Sequence, residues 1–158
     1  MAIDPSQECC PKFDPEPWDG KELTWTDRPF VRDHVRCFLH IPLGFAGVMT
    51  RNLAAIEAAG VADPQMVVLA RNCSLWGMDL LLGTIGDVPG ASMTRLSGTF
   101  LAKVFEGPYS REGQWRREMD ALVKARGRTA HEVLAYYTTC PKCAKKYGKN
   151  YVVLLAKI

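Results

Sequence analysis

The sequence lacks the features that mark several large classes of protein. It contains no apolar run approaching the ~20 residues of a membrane-spanning helix. Its first ten residues, MAIDPSQECC, lack the basic and then apolar pattern of a signal peptide. It has no Walker A loop, dinucleotide-binding fingerprint or Gly-x-Ser-x-Gly elbow. A net charge of +3 is too small to indicate a nucleic-acid partner. We therefore expect a cytoplasmic protein that binds neither a membrane nor nucleic acid.

The composition is that of an ordinary globular protein. The chain has 158 residues, 47% hydrophobic and 23% charged, which suits one domain with a buried core. Because the expected compartment is reducing, we expect the six cysteines to be reduced or metal-bound rather than paired. Residues 1–30 combine prolines, which exclude a long helix, with aromatic residues that are unusual in a disordered tail. They predict an ordered N-terminal strap over the body of the protein.

An internal repeat organises the rest of the chain. Residues 37–74 align with residues 103–140 without a gap, so that Pro42 falls on Pro108 and Gly47 on Gly113. The apolar positions match as well, which predicts that one structural unit occurs twice. Two copies of a unit commonly form a cleft at their shared axis, and we expect the functional site there.

Each copy has the pattern of a β-α-β-β unit. Apolar residues at helical spacing predict helices over residues 44–59 and 111–126, ended by Gly60 and Gly127. Short apolar runs predict strands over residues 33–41, 66–72, 76–85, 97–107, 132–139 and 150–158. The domain would cover residues 31–158, with pseudo-repeats 33–85 and 98–158. The pattern predicts an α+β fold with one antiparallel sheet and both helices packed on one face.

Two polar residues at the ends of matched strands are the candidate catalytic pair. The repeat places His40 on Glu106, and both precede an x-Pro turn. Strand alternation puts Val35 and Cys37 on the face that meets the helices, so His40 would lie on the opposite face. An imidazole and a carboxylate in one cleft suit general acid–base hydrolysis. The alternative is that both side chains only satisfy turn amides.

Asp79 and four aromatic residues are the candidate substrate-binding residues. Asp79 interrupts the apolar run WGMDLLLGTI, where it could orient a base, meet a cationic ligand or protect an exposed strand edge. Flat rings with a polar group suit the binding of planar aromatic compounds, which favours Trp76, Tyr109, Tyr136 and Tyr137. The alternative for the aromatic residues is ordinary core packing.

The cysteine pattern is the candidate metal site. Cys140-Pro141-Lys142-Cys143 has the spacing of a zinc knuckle, and Cys9 and Cys10 could supply the remaining ligands. His34 or His131 could replace one of them. No cofactor is required, and zinc is the metal that the pattern favours. A disulfide or redox pair, or reduced structural thiols, are the alternatives, because spacing alone does not establish metal binding.

Four segments resemble the GyrI-like small-molecule-binding family, in particular a stand-alone bacterial branch usually labelled "hydrolase". They are ECCPKFDPEPWDGK, RCFLHIPLGFAGVMTRN, LSGTFLAKVFEGPY and YYTTCPKCAKKYGKNYVVLLAKI. The resemblance implies a doubled β-α-β-β fold whose groove binds bulky, often aromatic or cationic xenobiotics. One subfamily hydrolyses the cyclopropane ring of DNA-alkylating cyclopropanoids within an aromatic cage. The last strand departs from the family pattern, because Val152 or Val153 stands where many members carry a glutamate.

Two hypotheses of function follow. In the first, the protein hydrolyses an electrophilic planar aromatic compound such as a cyclopropanoid, with Glu106 and His40 moving protons and the aromatic residues holding the substrate. In the second, it binds or sequesters hydrophobic small molecules without turnover, for which the aromatic walls alone suffice.

Overall fold

The elements of the fold follow one another as two strand–helix–strand–strand series. The computed structural model describes residues 13–39, 41–65, 67–71, 74–138 and 148–158. Its elements are β1 (Glu22–Phe38), β2 (Ile41–Leu43), α1 (Phe45–Ala59), β3 (Val68–Arg71), β4 (Gly77–Gly83), β5 (Met93–Glu106), α2 (Glu112–Ala125), β6 (Glu132–Tyr137) and β7 (Tyr151–Lys157). A short 3-10 turn over Tyr109–Arg111 precedes α2.

Both helices end where the sequence predicts. Gly60 follows α1 and Gly127 lies just beyond α2, with φ values of 69° and 71°. Glycine takes this left-handed conformation without a steric penalty, and it lets the chain leave the helix while the last carbonyls keep their hydrogen bonds. The predicted helices over residues 44–59 and 111–126 are therefore confirmed to within one residue at each end.

The predicted antiparallel sheet is present, and it closes into a barrel, which the sequence pattern did not predict. Its strand order is β2-β1-β4-β3-β6-β7-β5, and β1 also pairs with β5. All of these pairings are antiparallel, so six strands form a barrel and β2 extends the edge of β1. Closure depends on the first half of β1, since Glu22 pairs with Leu101 and Val31 with Met93.

The same strand corrects the boundary of the predicted strap. Residues 22–30 were expected to belong to a strap that ends at residue 30, but they form the beginning of β1. Leu23 and Trp25 alternate with more exposed polar residues there, which is the pattern of a strand with one buried face. We therefore use the word strap for residues 13–21 alone, the described part of the chain that precedes β1.

Two hydrophobic cores lie on the two sides of the strands. The barrel interior is filled by side chains that include Phe30, Leu69, Leu81, Phe100, Leu134 and Leu155. The outer core lies between the barrel and the helices, and it contains Val35, Cys37, Ile56, Trp115, Met119 and Leu154. The prediction that Val35 and Cys37 face the helices is thus confirmed. Small barrels of this kind are packed with side chains, so binding sites are expected at their ends.

The helices are short compared with the thickness of a bilayer. Within the ranges that the structure describes, no helix combines the length and the apolar character needed to cross a membrane.

Asp33 of β1 joins this strand to α1 through hydrogen bonds on the side of the sheet that faces the helices. Its carboxylate accepts hydrogen bonds from Arg51 Nη2 and from Asn52 Nδ2, the latter at 2.7 Å, and from the backbone N–H of His34. Burial alone would raise the pKa of Asp33, but these donors and the charge of Arg51 outweigh it and hold the pKa below its usual value. The ionised form is therefore more stable in the folded than in the unfolded chain.

We expect Asp33→Asn to lower the melting temperature at neutral pH by removing this charge-assisted contact. Because the pKa of Asp33 is lowered in the folded state, its carboxylate stabilises the fold above the unfolded pKa of ~3.9. This stabilisation is lost as the pH falls through the folded pKa. In thermal scans, the difference between wild type and variant should therefore be constant from about pH 7 to about pH 5 and shrink as the pH falls below ~3.9. Asp120→Asn, which removes an exposed carboxylate paired with Lys124, is the control and should change little. A difference that stays constant with pH would contradict the assignment.

Candidate functional site

The two longest strands, β1 and β5, end at opposite ends of the barrel. The second half of β5 pairs with β7, and the second half of β1 pairs with β4. By strand direction, β5 ends at the barrel end where β6 finishes and β7 begins, which we call the strap end. β1 ends at the opposite end, where β3 finishes and β4 begins, which we call the far end.

The strap is fixed along β5. The backbone N–H of Gly20 donates to the carbonyl of Ala102 at 2.9 Å, and the N–H of Ala102 donates to the carbonyl of Lys21 at 2.8 Å. Asp19 accepts from the N–H of Val104 at 3.2 Å and forms an ion pair with Lys103 at 3.2 Å. These bonds hold the strap as a continuation of the sheet beside β5, so its aromatic residues reach the strap end in a fixed position.

Four aromatic rings meet at the strap end. Phe13 packs edge-on against Tyr136 with 5.9 Å between ring centroids, and it lies 5.8 Å from the ring of Tyr151. Trp18 lies 5.3 Å from the same Tyr136. Such separations are typical of favourable aromatic pairs. Tyr136 is buried and belongs to the inner core, so the strap rings cap the barrel interior at this end.

A cleft opens beside these rings. It has a volume of about 260 Å³ and is lined by Phe13, Asp14, Pro17, Trp18, Pro64, Gln65, Tyr136 and Thr138. Its walls therefore combine two strap rings and one barrel tyrosine with the carboxylate of Asp14 and the amide of Gln65. Apolar walls with a few polar groups are the usual composition of a small-molecule site.

Glu106 lies at the rim of this end. It is the last residue of β5, is exposed, and is the cross-strand partner of Tyr151. Directly opposed residues of antiparallel strands share a face, so Glu106 projects on the same side as Tyr151, whose ring touches Phe13. Two hydrogen bonds between Gly107 and Asn150 tie the end of β5 to the start of β7. The structure thus places Glu106 and Tyr136 at one end of the barrel.

Two other candidate residues, Trp76 and Asp79, lie at the far end. Asp79 is 13% exposed; its Oδ1 lies 3.1 Å from Nδ1 of His34, and its Oδ2 lies 3.6 Å from Nη2 of Arg32. Trp76 is exposed and packs edge-on against Phe38. Sequence reasoning considered that Asp79 could orient a base but did not identify His34 as its partner. The register of β1 with β4, in which His34 and Asp79 are directly opposed, is the feature that identifies this partner.

Tyr137 is not brought to the cleft. Its hydroxyl donates a hydrogen bond to Oε2 of Glu112 at 2.8 Å, so it belongs to the side of the sheet that carries α2. Tyr109 lies in the 3-10 turn before α2, and its side chain is outside the described part of the structure. The described geometry therefore divides the predicted substrate-binding residues among three places.

The remaining predicted residues lie outside the described ranges. They are His40 and the four candidate metal ligands Cys9, Cys10, Cys140 and Cys143. The pairing of His40 with Glu106 stays a prediction. Glu106 ends β5 at the strap end, whereas β1 ends at the far end. Within the described ranges, no group of three or more histidine, cysteine or acidic residues is arranged to hold a metal ion. The zinc site stays a prediction.

Fold and site together define an α+β barrel domain with two helices on its outer side and an aromatic-lined cleft at one end. The chain belongs to the bacterial hydrolase family, whose model matches residues 2–158.

Two solved structures from Listeria innocua share the fold. One is an uncharacterized conserved protein, 12% identical, with a TM-score of 0.60 over 86% of this chain and 90% of that chain. The other is a hydrolase, 11% identical, with a TM-score of 0.61 over 89% of this chain and 92% of that chain. No curated protein matches the sequence significantly.

We expect Trp18→Ala to loosen the strap and to expose Tyr136. Trp18 is half-buried, so the free energy of unfolding should fall by about 1–3 kcal/mol, less than for a fully buried tryptophan. Urea denaturation measures this loss. Trp76→Ala is the matched control, because Trp76 is 61% exposed and its removal should cost less than about 1 kcal/mol. Equal losses in the two variants would show that the strap rings do not cap the barrel.

Proposed function

We propose that this protein hydrolyses an electrophilic, planar aromatic compound in the cleft at the strap end, with Glu106 as the general base. The observation that carries the proposal is that Phe13, Trp18 and Tyr136 meet at the barrel end where Glu106 ends β5, opposed to Tyr151, whose ring contacts Phe13. Membership of the bacterial hydrolase family supports hydrolysis as the reaction, as does the shared fold with a hydrolase from Listeria innocua.

The shape and chemistry of the cleft favour a flat ligand of modest size. Its volume of about 260 Å³ is close to the lower limit of ~300 Å³ for small-molecule pockets, which suits two or three fused rings. The half-buried rings of Phe13 and Trp18 offer flat apolar faces at the cleft wall. Asp14 and Gln65 offer polar atoms that could orient the ligand's heteroatoms.

A spirocyclopropyl cyclohexadienone, the reactive group of cyclopropanoids, illustrates the step. Glu106 removes a proton from water as the water oxygen bonds to a cyclopropane carbon. One carbon–carbon bond of the cyclopropane breaks, and its electron pair makes the six-membered ring aromatic and forms a phenolate. The phenolate then takes a proton from Glu106, which restores the carboxylate. The product is the substrate plus one water. This step uses no metal, so zinc binding by Cys9, Cys10, Cys140 and Cys143 is a separate proposal.

The position of Glu106 fits this role. Its side chain is exposed, so water reaches it, and the two hydrogen bonds between Gly107 and Asn150 hold the backbone next to it. A fixed base next to a binding surface gains rate by proximity, because substrate and water need not be ordered again in the transition state.

We expect Glu106→Gln to reduce turnover of a spirocyclopropyl cyclohexadienone by about 10²–10⁴-fold, the usual contribution of a general base, and to leave its binding unchanged. Ultraviolet absorbance follows the conversion of dienone to phenol, and calorimetry measures the binding. Glu57→Gln, which changes an exposed carboxylate on α1, is the matched control and should retain wild-type turnover.

Three outcomes would count against the proposal. Wild-type-like turnover in Glu106→Gln would remove Glu106 from the mechanism. Loss of turnover in the Glu57→Gln control would show that the assay reports something other than the site. Tight binding by the wild type with no turnover would favour the alternative function, a module that sequesters aromatic compounds.

A further inference from the structure

The far end of the barrel carries a second set of exposed groups that the proposed reaction does not use. On the side away from the helices, β1 presents Arg32, His34, Arg36 and Phe38 at every second position. Opposite them, β4 begins with Gly77 and Asp79, directly preceded by Trp76. We call this surface the far-end face. It combines cationic side chains with two large aromatic rings.

The charges on this face leave a net positive potential. Asp79 lies within ion-pair distance of His34 and Arg32, and Glu132 forms an ion pair with Arg71. Among the described residues, no carboxylate lies within ion-pair distance of Arg36, which is exposed between His34 and Phe38. A guanidinium in this state offers its fork of N–H donors to a ligand carboxylate or a similar planar anion.

The aromatic part of the face is exposed yet held in place. Phe38 and Trp76 are 55% and 61% exposed, and their rings pack edge-on with 6.1 Å between centroids. The backbone of Trp76 is fixed on both sides. Its N–H donates to Ser74 Oγ at 3.2 Å, and its carbonyl accepts from the N–H of Cys37 at 2.8 Å. A fixed backbone and a ring that already packs on its neighbour reduce the entropy lost when a ligand stacks on Trp76.

His34 adds a third flat group to this face. The hydrogen bond of its Nδ1–H to Asp79 fixes the ring, which then lies across Gly77. A Cβ atom at position 77 would come within 2.6 Å of His34 Nε2, so only glycine leaves room for this ring position. The imidazole therefore lies on the same face as Arg36, with its Nδ1 held at Asp79.

We propose that the far-end face is a binding site for a planar aromatic anion, a carboxylate above all. The guanidinium of Arg36 binds the carboxylate, and the ring system stacks on Trp76 and Phe38. This site is distinct from the cleft at the strap end and goes beyond the proposed hydrolysis. Its positive potential selects against the cationic ligands that the family resemblance implies.

Three naphthalene probes of equal shape test the charge preference: 2-naphthoate, 2-naphthylmethanol and 2-naphthylmethylammonium. Calorimetry should give the order anion, neutral, cation from tightest to weakest. Arg36→Gln should weaken naphthoate binding about tenfold or more and leave the neutral probe unchanged, since a hydrogen bond to a charged group is lost. Arg117→Gln, an exposed arginine on α2, is the matched control and should bind as wild type.

The location is read from the tryptophan indole N–H signals in NMR spectra. The chain has four tryptophans, and Trp76→Phe identifies the signal of Trp76. Naphthoate should shift that signal and leave the signal of Trp18 in place. Gly77→Ala, which displaces the imidazole, should weaken naphthoate binding while Arg36 is intact. Equal affinity for the three probes, wild-type affinity in Arg36→Gln, or a shift confined to Trp18 would each overturn the proposal. None of these results depends on turnover at Glu106.

Discussion

The pairing of β1 with β5 is the interaction on which the rest of the structure depends. It closes six antiparallel strands into a barrel whose interior is filled with side chains. Without it, Phe30 and Phe100 would lie on the exposed face of an open sheet, at a cost of roughly 1.5–3 kcal/mol for each side chain. Because the interior is full, a ligand cannot enter it without displacing these side chains, and binding sites are expected at the ends of the barrel. Closure thus determines where chemistry can occur.

The two ends of the barrel carry different functional groups because the strap covers only one of them. Exchanging β1 with β5, β4 with β7 and β3 with β6 turns the strand order of the barrel into itself. A duplicated unit would produce this symmetry, although duplication itself stays a prediction. The strap breaks the symmetry, since it lies along β5 and its rings cap the barrel interior at one end. The equivalent part of β1 instead carries exposed arginines and a His–Asp pair.

Much of the local structure could be predicted from the sequence, because helices and strands have their own apolar periods. The closure of the sheet into a barrel could not be predicted in this way. The beginning of β1 contains Pro29 and a bulge between Trp25 and Arg28, so it resembles a loop until its pairing with β5 is known. Strand register is a non-local property that a single sequence does not reveal. For that reason the contact between His34 and Asp79 was missed, although each residue was noticed separately.

In the candidate site, too, single residues could be predicted from the sequence, but their contacts could not. Glu106 was found because the repeat aligns strand ends, and Tyr136 because aromatic residues concentrate in that strand. Neighbouring residues of a strand face opposite sides, so Tyr136 and Tyr137 could not both line one cleft. The structure places Tyr136 inside and Tyr137 against α2. The rings of Phe13 and Trp18 were expected in a strap, but their contact with Tyr136 follows from hydrogen bonds of the strap to β5.

The most direct test of this account is a crystal structure of the protein bound to the ring-opened phenol product. A filled barrel with one capped end predicts electron density for the phenol in the cleft at the strap end, against the ring of Trp18 and with a polar atom directed toward Glu106. Density inside the barrel, which would require Phe30 and Phe100 to move apart, would contradict the account. So would a phenol bound only at the far end, against Trp76.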